Sequence, residues 1–247
     1  MKKYILITLT FAVVWLQTVS VYGELKKEEF FDFVKPGKNA RVKVSNINGN
    51  INISRSKESN ITIYAVKKTY AGKEELNKVE VTVSKGDEIV IKTIYVKESA
   101  NVSVDYNITI PDDIALQDVN NLNGDINIIG VNGSISAVTL NGNIDIGETK
   151  SILKAKTSNG SIKVILSEIN DKVNIETHNG AIEIFLSSNL DADVQVEIAN
   201  GKIENHSACL SVNDLSGTFL GGKTGKGNKK LYIKSFNGNI DLYDQKK

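Results

Sequence analysis

The chain has 247 residues, enough for one or two domains, with 40% hydrophobic and 24% charged residues and a formal net charge of +1. That balance excludes a strongly basic binder of nucleic acid or of anionic membrane surfaces, and only Arg41 and Arg55 supply the forked guanidinium preferred for phosphate. Cys209 is the one cysteine, so no intramolecular disulfide can form and the fold must rest on burial and backbone pairing.

At the N-terminus Lys2 and Lys3 precede an apolar run over residues 4–16, and a polar stretch then ends in small residues at Ser20 and Gly23. Basic, apolar, then small is the order of a secretory signal peptide, here residues 1–23. The competing reading is an uncleaved N-terminal anchor, because no charge lies between Lys3 and Glu24 and about 20 uncharged residues suffice for a membrane helix. Gln17, Thr18 and Ser20 weaken the second half of such a helix and favour cleavage. Both readings export residues 24–247 to the periplasm, cell envelope or cell surface, with the membrane touched only through an uncleaved segment. Removing residues 1–23 takes away two Lys and no acids, leaving 28 basic against 29 acidic residues, and it removes Trp15, the one tryptophan.

The next stretch, to about residue 112, is β-rich but irregular. "FDFVKPGKNARVKVSNINGNINISR" carries one Asn-Gly between alternating segments. "NITIYAV", "KVEVTVSKGDEIVIKTIYV" and "NVSVDYNITIPDD" alternate apolar and polar residues, with Gly86-Asp87 as a turn. These read as edge or capping strands. "AGKEELNKV" between them is the one candidate short helix.

Residues 117–243 are more regular. Asn-Gly stands at Asn48, Asn123, Asn132, Asn141, Asn159, Asn179, Asn200 and Asn237. Three positions after each Asn comes Ile51, Ile126, Ile135, Ile144, Ile162, Ile182, Ile203 or Ile240. Five positions after come Ile53, Ile128, Ala137, Ile146, Val164, Ile184, Asn205 and Leu242. The approach is equally patterned, with Val44, Val119, Ala137, Ala155, Ile175, Val196 and Ile233 four residues before the Asn. Each unit is therefore strand, Asn-Gly turn, strand, with one side buried throughout.

Two architectures share this signature. Asn-Gly between alternating segments marks a two-residue β-hairpin, which would give a meander, sandwich or barrel. Spacing favours the other: from Asn123 the turns recur after 18, 18, 20 and 21 residues, and Asn237 follows 37 later, close to two such steps. A stacked coil repeats its register in this way, each turn above its predecessor by about 4.8 Å. Stacking also accounts for the Asn, since like amides one rung apart bond into a ladder. The expected fold is all-β, a single-stranded β-helix (β-solenoid) with about 18–21 residues per coil and an irregular β-rich N-terminal part, in one body over residues 24–247.

The segments "VKVSNINGNINISR", "YNITIPDDIALQDVNNLNGDINI" and "KLYIKSFNGNIDL" resemble the bacterial putative-adhesin β-repeat domain family over residues 30–244. This is an exported domain family of unknown function, related to head domains of putative auto-transporter adhesins. The resemblance implies a β-helical fold, an exported or envelope location and no catalytic residues to carry over.

Several patterns suggest chemistry and are outweighed by simpler readings. Residues 217–224, "GTFLGGKT", match the phosphate-binding loop G-x-x-x-x-G-K-[ST], but "GKGNKK" follows and cannot start the helix that motif requires. The segment reads instead as a flexible excursion that accounts for the long step to Asn237. Lys223, Lys226, Lys229 and Lys230 concentrate there and read as a solvated loop or a weak contact with an acidic glycan. His206 and Cys209, with His178 elsewhere, are too few for a zinc site by spacing, so no metal and no cofactor are expected. The acidic pairs Glu74-Glu75, Asp112-Asp113 and Asp191/Asp193 read as solvated charges. The expected function is a non-enzymatic exported envelope or surface protein, a structural or adhesion module that presents an extended binding surface. Its partner is unassigned, a surface glycan or envelope protein being the class expected and nucleic acid excluded. A polysaccharide-binding or polysaccharide-processing β-helix is one alternative; a scaffold that self-associates through its solenoid ends is another.

Overall fold

The computed structural model describes residues 23–111, 114–131, 133–149 and 152–245, so the signal or anchor segment lies outside the described residues apart from Gly23. Among the described residues no helix is long and apolar enough to cross a membrane. In chain order, β1 (Lys26–Val34), β2 (Arg41–Ser45), β3 (Ile51–Ser56) and β4 (Ile61–Thr69) come first. A 3-10 helix over Lys73–Lys78, where the short helix was expected, leads to β5 (Val79–Val83), β6 (Glu88–Tyr95) and β7 (Ser103–Pro111). Then come the pairs β8 (Ala115–Asn123) and β9 (Ile126–Ile129), β10 (Ile135–Asn141) and β11 (Ile144–Thr149), and β12 (Ile152–Asn159) and β13 (Ile162–Leu166). They continue with β14 (Val173–Asn179) and β15 (Ile182–Leu186), then β16 (Ala192–Asn200) and β17 (Ile203–Asn205). β18 (Ser211–Leu215) and β19 (Phe219–Thr224) form a hairpin before the closing pair β20 (Lys229–Asn237) and β21 (Ile240–Asp244).

Strands before the Asn-Gly corners assemble into one sheet of 11 strands, and strands after them into another of 10. Corner partners pair parallel and in register, as in Asn141↔Asn159 on one side and Ile144↔Ile162 on the other. The chain therefore winds, as the spacing predicts. Between the sheets the aliphatic columns are closed to solvent: Ile51, Ile126, Ile144, Ile162, Ile182 and Ile240 face Val44, Val119, Ala137, Ala155, Ile175 and Ile233, each at 0–1% exposure.

The corner explains why the sequence writes Asn-Gly. Gly142 and Gly160 hold φ of +157° and +154°. A side chain on Gly160 would also put its Cβ 2.0 Å from the carbonyl oxygen of Gly142 one coil away. That carbonyl is in turn used: the Thr157 hydroxyl donates to it at 2.8 Å. Between these two coils Gly142 N donates to Asn159 O and Ile144 N to Ser161 O, while Asn159 Nδ2 donates back to Asn141 Oδ1 and Ser161 N to Asn143 Oδ1. Five hydrogen bonds thus tie one corner to the next, each worth about 0.5–1.5 kcal/mol net.

The order of coils departs from the order in sequence at both ends. Corners Asn123, Asn141, Asn159 and Asn179 stack in succession, as expected. The closing pair β20/β21 then lies between β14/β15 and β16/β17, so Asn237 stacks on Asn179 and Asn200 on Asn237. The 37-residue interval is thus a reversal, in which the chain lays down an outer coil and returns to fill the rung beneath it. Electrostatics agree with this order: Lys156, Glu176, Lys234 and Glu197 alternate in sign up the sheet, with Lys156–Glu176 at 3.1 Å and Lys234–Glu197 at 3.2 Å. Stacking in chain order would set Glu176 against Glu197, and like charges directly opposite destabilise a sheet.

The N-terminal end reverses in the same sense. β6 and β7, expected as capping strands, instead form a coil of their own that lies on β2/β3 from outside, while β8/β9 continues on the other side. The true caps are β1 and β4, antiparallel beyond β7, and β5, antiparallel beyond β6. Lys67 pins this cap: its buried ammonium donates to Leu76 O at 3.0 Å and Val79 O at 3.1 Å and pairs with Glu28 at 2.5 Å. In place of an Asn-Gly corner the β6/β7 coil uses a buried network in which Thr93 joins Asn46 Oδ1 to the Tyr106 hydroxyl, whose pKa burial pushes up to about 12. Asn132 lies outside the described residues; Ile135, three positions on, opens β10 in the sheet of strands that precede the corners. Asn205 breaks the apolar column because it sits on the outermost coil, where its side chain is exposed.

The corner geometry makes a directional prediction. Gly160→Ala is expected to destabilise by at least about 1–3 kcal/mol from backbone strain alone, with the displaced carbonyl adding to it. Gly217→Ala, with nothing within 4 Å of its Cβ position, is expected to be neutral. Urea unfolding of both variants checks this; equal effects would mean that the corners do not stack.

Candidate functional site

The stacked corners form one continuous column. Seven Asn side chains bond in spatial order: Asn123 to Asn48, Asn141 to Asn123, Asn159 to Asn141, Asn179 to Asn159, Asn237 to Asn179 and Asn200 to Asn237, at 2.7–2.9 Å. Six steps of about 4.8 Å make an edge roughly 29 Å long. Its N-terminal end is sealed, since Asn48 Nδ2 donates to the Tyr95 hydroxyl, which itself donates to Val102 O. At the other end no donor among the described residues meets the amide oxygen of Asn200.

The two flanks differ. On one side the residue before each Asn points outward and leaves Leu122, Leu140 and Phe236 42–45% exposed, with His178 stacked on Phe236 at 4.7 Å. On the other side a shallow polar groove runs past Asp125, Asn143, Ser161 and Lys163. Here a side-chain oxygen of one coil accepts the backbone N–H of the next: Asp125 from Asn143 at 2.7 Å, Asn143 from Ser161 at 2.8 Å. Farther out on that sheet Phe185, Tyr243 and His206 stack in a column with centroids 5.3 and 4.9 Å apart. Rings stacked on each other cover their faces, so this column stabilises neighbouring coils and does not offer a flat platform to a sugar.

The residues singled out in the sequence are mostly structural. Phe219–Thr224 is a strand paired antiparallel with both β16 and β18, and the Thr224 hydroxyl accepts from Ala192 N at 3.0 Å. The expected flexible excursion is thus an ordered cap on the sheet, and the phosphate-loop resemblance lacks its helix. Of the lysines, Lys230 pairs with Asp193. Asp191 accepts from the backbone of Asn228 at 3.1 Å, its side chain at 2.6 Å and Lys226 N at 2.8 Å, and these bonds lower its pKa. Glu75 pairs with Lys78, while Asp112 and Asp113 lie outside the described residues. His178 and His206 belong to different sheets, and Cys209 does not face His206; its thiol meets the Ser207 hydroxyl at 3.1 Å, and burial raises its pKa.

One cluster was missed. Glu204, His206 and Asp241 converge with His206 Nε2 at 3.4 Å from Glu204 and 3.8 Å from Asp241. Glu204 and Asp241 both sit four residues after a corner Asn, so their register is readable from sequence. Their adjacency is not, because it depends on the Asn237 coil touching the Asn200 coil. Just beyond, the Asp244 carboxylate anchors the returning chain, accepting from the Ser207 hydroxyl at 2.5 Å and the Ala208 N–H at 3.1 Å.

Those bonds pull the Asp244 pKa from 3.8 down to about 2, the Ser207 hydroxyl contributing most. A depressed carboxylate stabilises above its unfolded value and loses that contribution as pH falls through the folded one. Protection of the Ala208 and Cys209 amides against hydrogen exchange is therefore expected to fall between about pH 4 and 2, while the Ile144 amide keeps its protection. Asp244→Asn should abolish the difference; an unchanged profile in that variant would contradict the anchoring role.

A search of the curated proteins finds no match to the sequence. Among solved structures, a putative cell adhesion protein from Clostridium sporogenes is similar with a TM-score of 0.51 and 16% identity, over 89% of this chain and 100% of its own, a likeness of fold. A putative adhesin from Bacteroides fragilis matches with a TM-score of 0.33 and 12% identity, over 90% of this chain and 97% of its own. The sequence profile of the Toastrack DUF4097 family matches residues 32–243, which take in every corner of the Asn ladder, and the chain belongs to that family.

Proposed function

We propose that this chain is a non-enzymatic, exported module of the cell envelope or surface that binds by presenting a long, rigid corner. The observation that carries the reading is the in-register stack of seven Asn corners, with the exposed apolar side chains Leu122, Leu140 and Phe236 on one flank and a polar groove on the other. A surface of this kind holds an extended partner, such as a glycan chain or an envelope protein, by many equivalent weak contacts. The apolar segment at residues 1–23 supports export. The name of the Clostridium sporogenes protein with this fold, a putative cell adhesion protein, supports the surface role. Glu183, Asp241 and Glu204 stand side by side on neighbouring strands of one sheet, with a histidine beside the last two. Glycoside cleavage needs an acid and a base on either side of the scissile bond, within a cleft.

A binding screen of the purified protein against glycans and matrix proteins tests the proposal. The expected result is binding without release of sugar, weakened several-fold by Leu140→Ser or Phe236→Ser and further by the pair together. Sugar release that disappears on changing acids of one face would overturn it in favour of the polysaccharide-processing reading.

A further inference from the structure

We propose that Glu204, His206 and Asp241 bind one divalent transition-metal ion of the zinc type at the outer end of the solenoid, stapling the terminal strand β17 to β21. The first reason is register. Glu204 lies directly across from Asp241, and Asp241 from Glu183, so three carboxylates occupy consecutive rungs. Earlier in the same column Asp145, Lys163 and Glu183 alternate in sign. A run of like charges costs stability unless a cation sits among them.

The second reason is donor geometry. The imidazole nitrogen and one oxygen of each carboxylate lie within 4.8 Å of one another, and the two contacts from Nε2 are 3.4 and 3.8 Å. Zinc bonds of about 2.0–2.2 Å to nitrogen and oxygen need ligand atoms a little over 3 Å apart, so small side-chain rotations suffice. One imidazole with two carboxylates suits zinc, manganese or iron, whereas an all-oxygen set would suit calcium and thiolates would suit copper(I).

The third reason is preorganisation. The backbone of His206 continues the ladder through its N–H to Leu242 O at 2.8 Å, and its ring stacks on Tyr243 at 4.9 Å and 12°. Asp244 ties down the chain that follows through Ser207 and Ala208. Glu204 and His206 are about half exposed, which leaves the outer side open to water ligands.

The ion would act mechanically. β17 is a three-residue strand that pairs with β21 alone among the described residues, and it follows the last corner of the Asn ladder. An ion held by both strands couples this corner to the rest of the stack. The test is calorimetric titration of the metal-free chain with Zn²⁺, with Co²⁺ absorption as a direct report of coordination. Wild type is expected to bind one Zn²⁺ and to melt several degrees higher when loaded. His206→Gln and Asp241→Asn should each weaken binding at least about tenfold, and the rise in melting temperature on adding Zn²⁺ should disappear in both. Cys209→Ser and His178→Gln should bind as wild type does. Absence of binding, or binding kept in His206→Gln and lost in Cys209→Ser or His178→Gln, would overturn the assignment and leave the cluster a histidine–carboxylate ion pair.

Discussion

The carbonyl oxygen of each corner glycine occupies the place where a side chain of the next corner would stand. From Gly124 through Gly180, and again at Gly238, this distance is 2.0–2.1 Å, shorter than any real contact of a Cβ. The constraint forces glycine there, and glycine there lets consecutive coils approach until their amides bond. The Asn ladder, the Thr157 and Thr177 hydroxyls donating to Gly142 O and Gly160 O, and the isoleucine column inside all depend on that approach. A coil that stood off by one ångström would lose its side-chain ladder and its backbone bonds together.

A stack built this way has ends, and the two are managed differently. At the N-terminal end a tyrosine hydroxyl stands in for the missing eighth amide, and antiparallel strands cover both sheets with Lys67 locked beneath them. At the other end one sheet alone is covered among the described residues. β18 and β19 extend it, and the β18 edge carries a register shift near Asp214, the kind of irregularity that discourages further pairing. The other sheet stops at β17 with Ile203 half covered, and there the acidic residues gather. Stability therefore declines from the middle coils toward β17, and the Asp244 anchor and the proposed metal staple act on that weakest segment.

Much of this was legible in the sequence. The four residues Asn-Gly-x-Ile set the corner, the period-two pattern set the buried faces, and Asn123 to Asn179 held the true stacking order, because in those coils neighbours in space are neighbours in sequence. Spacing failed where that equivalence failed. The 37-residue step from Asn200 to Asn237 fits two coils, yet β18 and β19 build a hairpin within it and β20 returns inward. Alternating signs at Lys156, Glu176, Lys234 and Glu197 held the missing information, but only once a choice between two orders had been posed. The Glu204–His206–Asp241 cluster stayed hidden for the same reason.

Every functional statement rests on coils stacked with their corners in register and on the order of the last three. Cross-strand nuclear Overhauser effects on a deuterated, isotopically labelled sample read that order directly. The account predicts contacts from the Gly180 amide to Asn237 and from the Gly238 amide to Asn200, matching backbone bonds of 2.8 and 2.9 Å. A contact from the Gly180 amide to Asn200, with none to Asn237, would show coils stacked in chain order and would contradict the account.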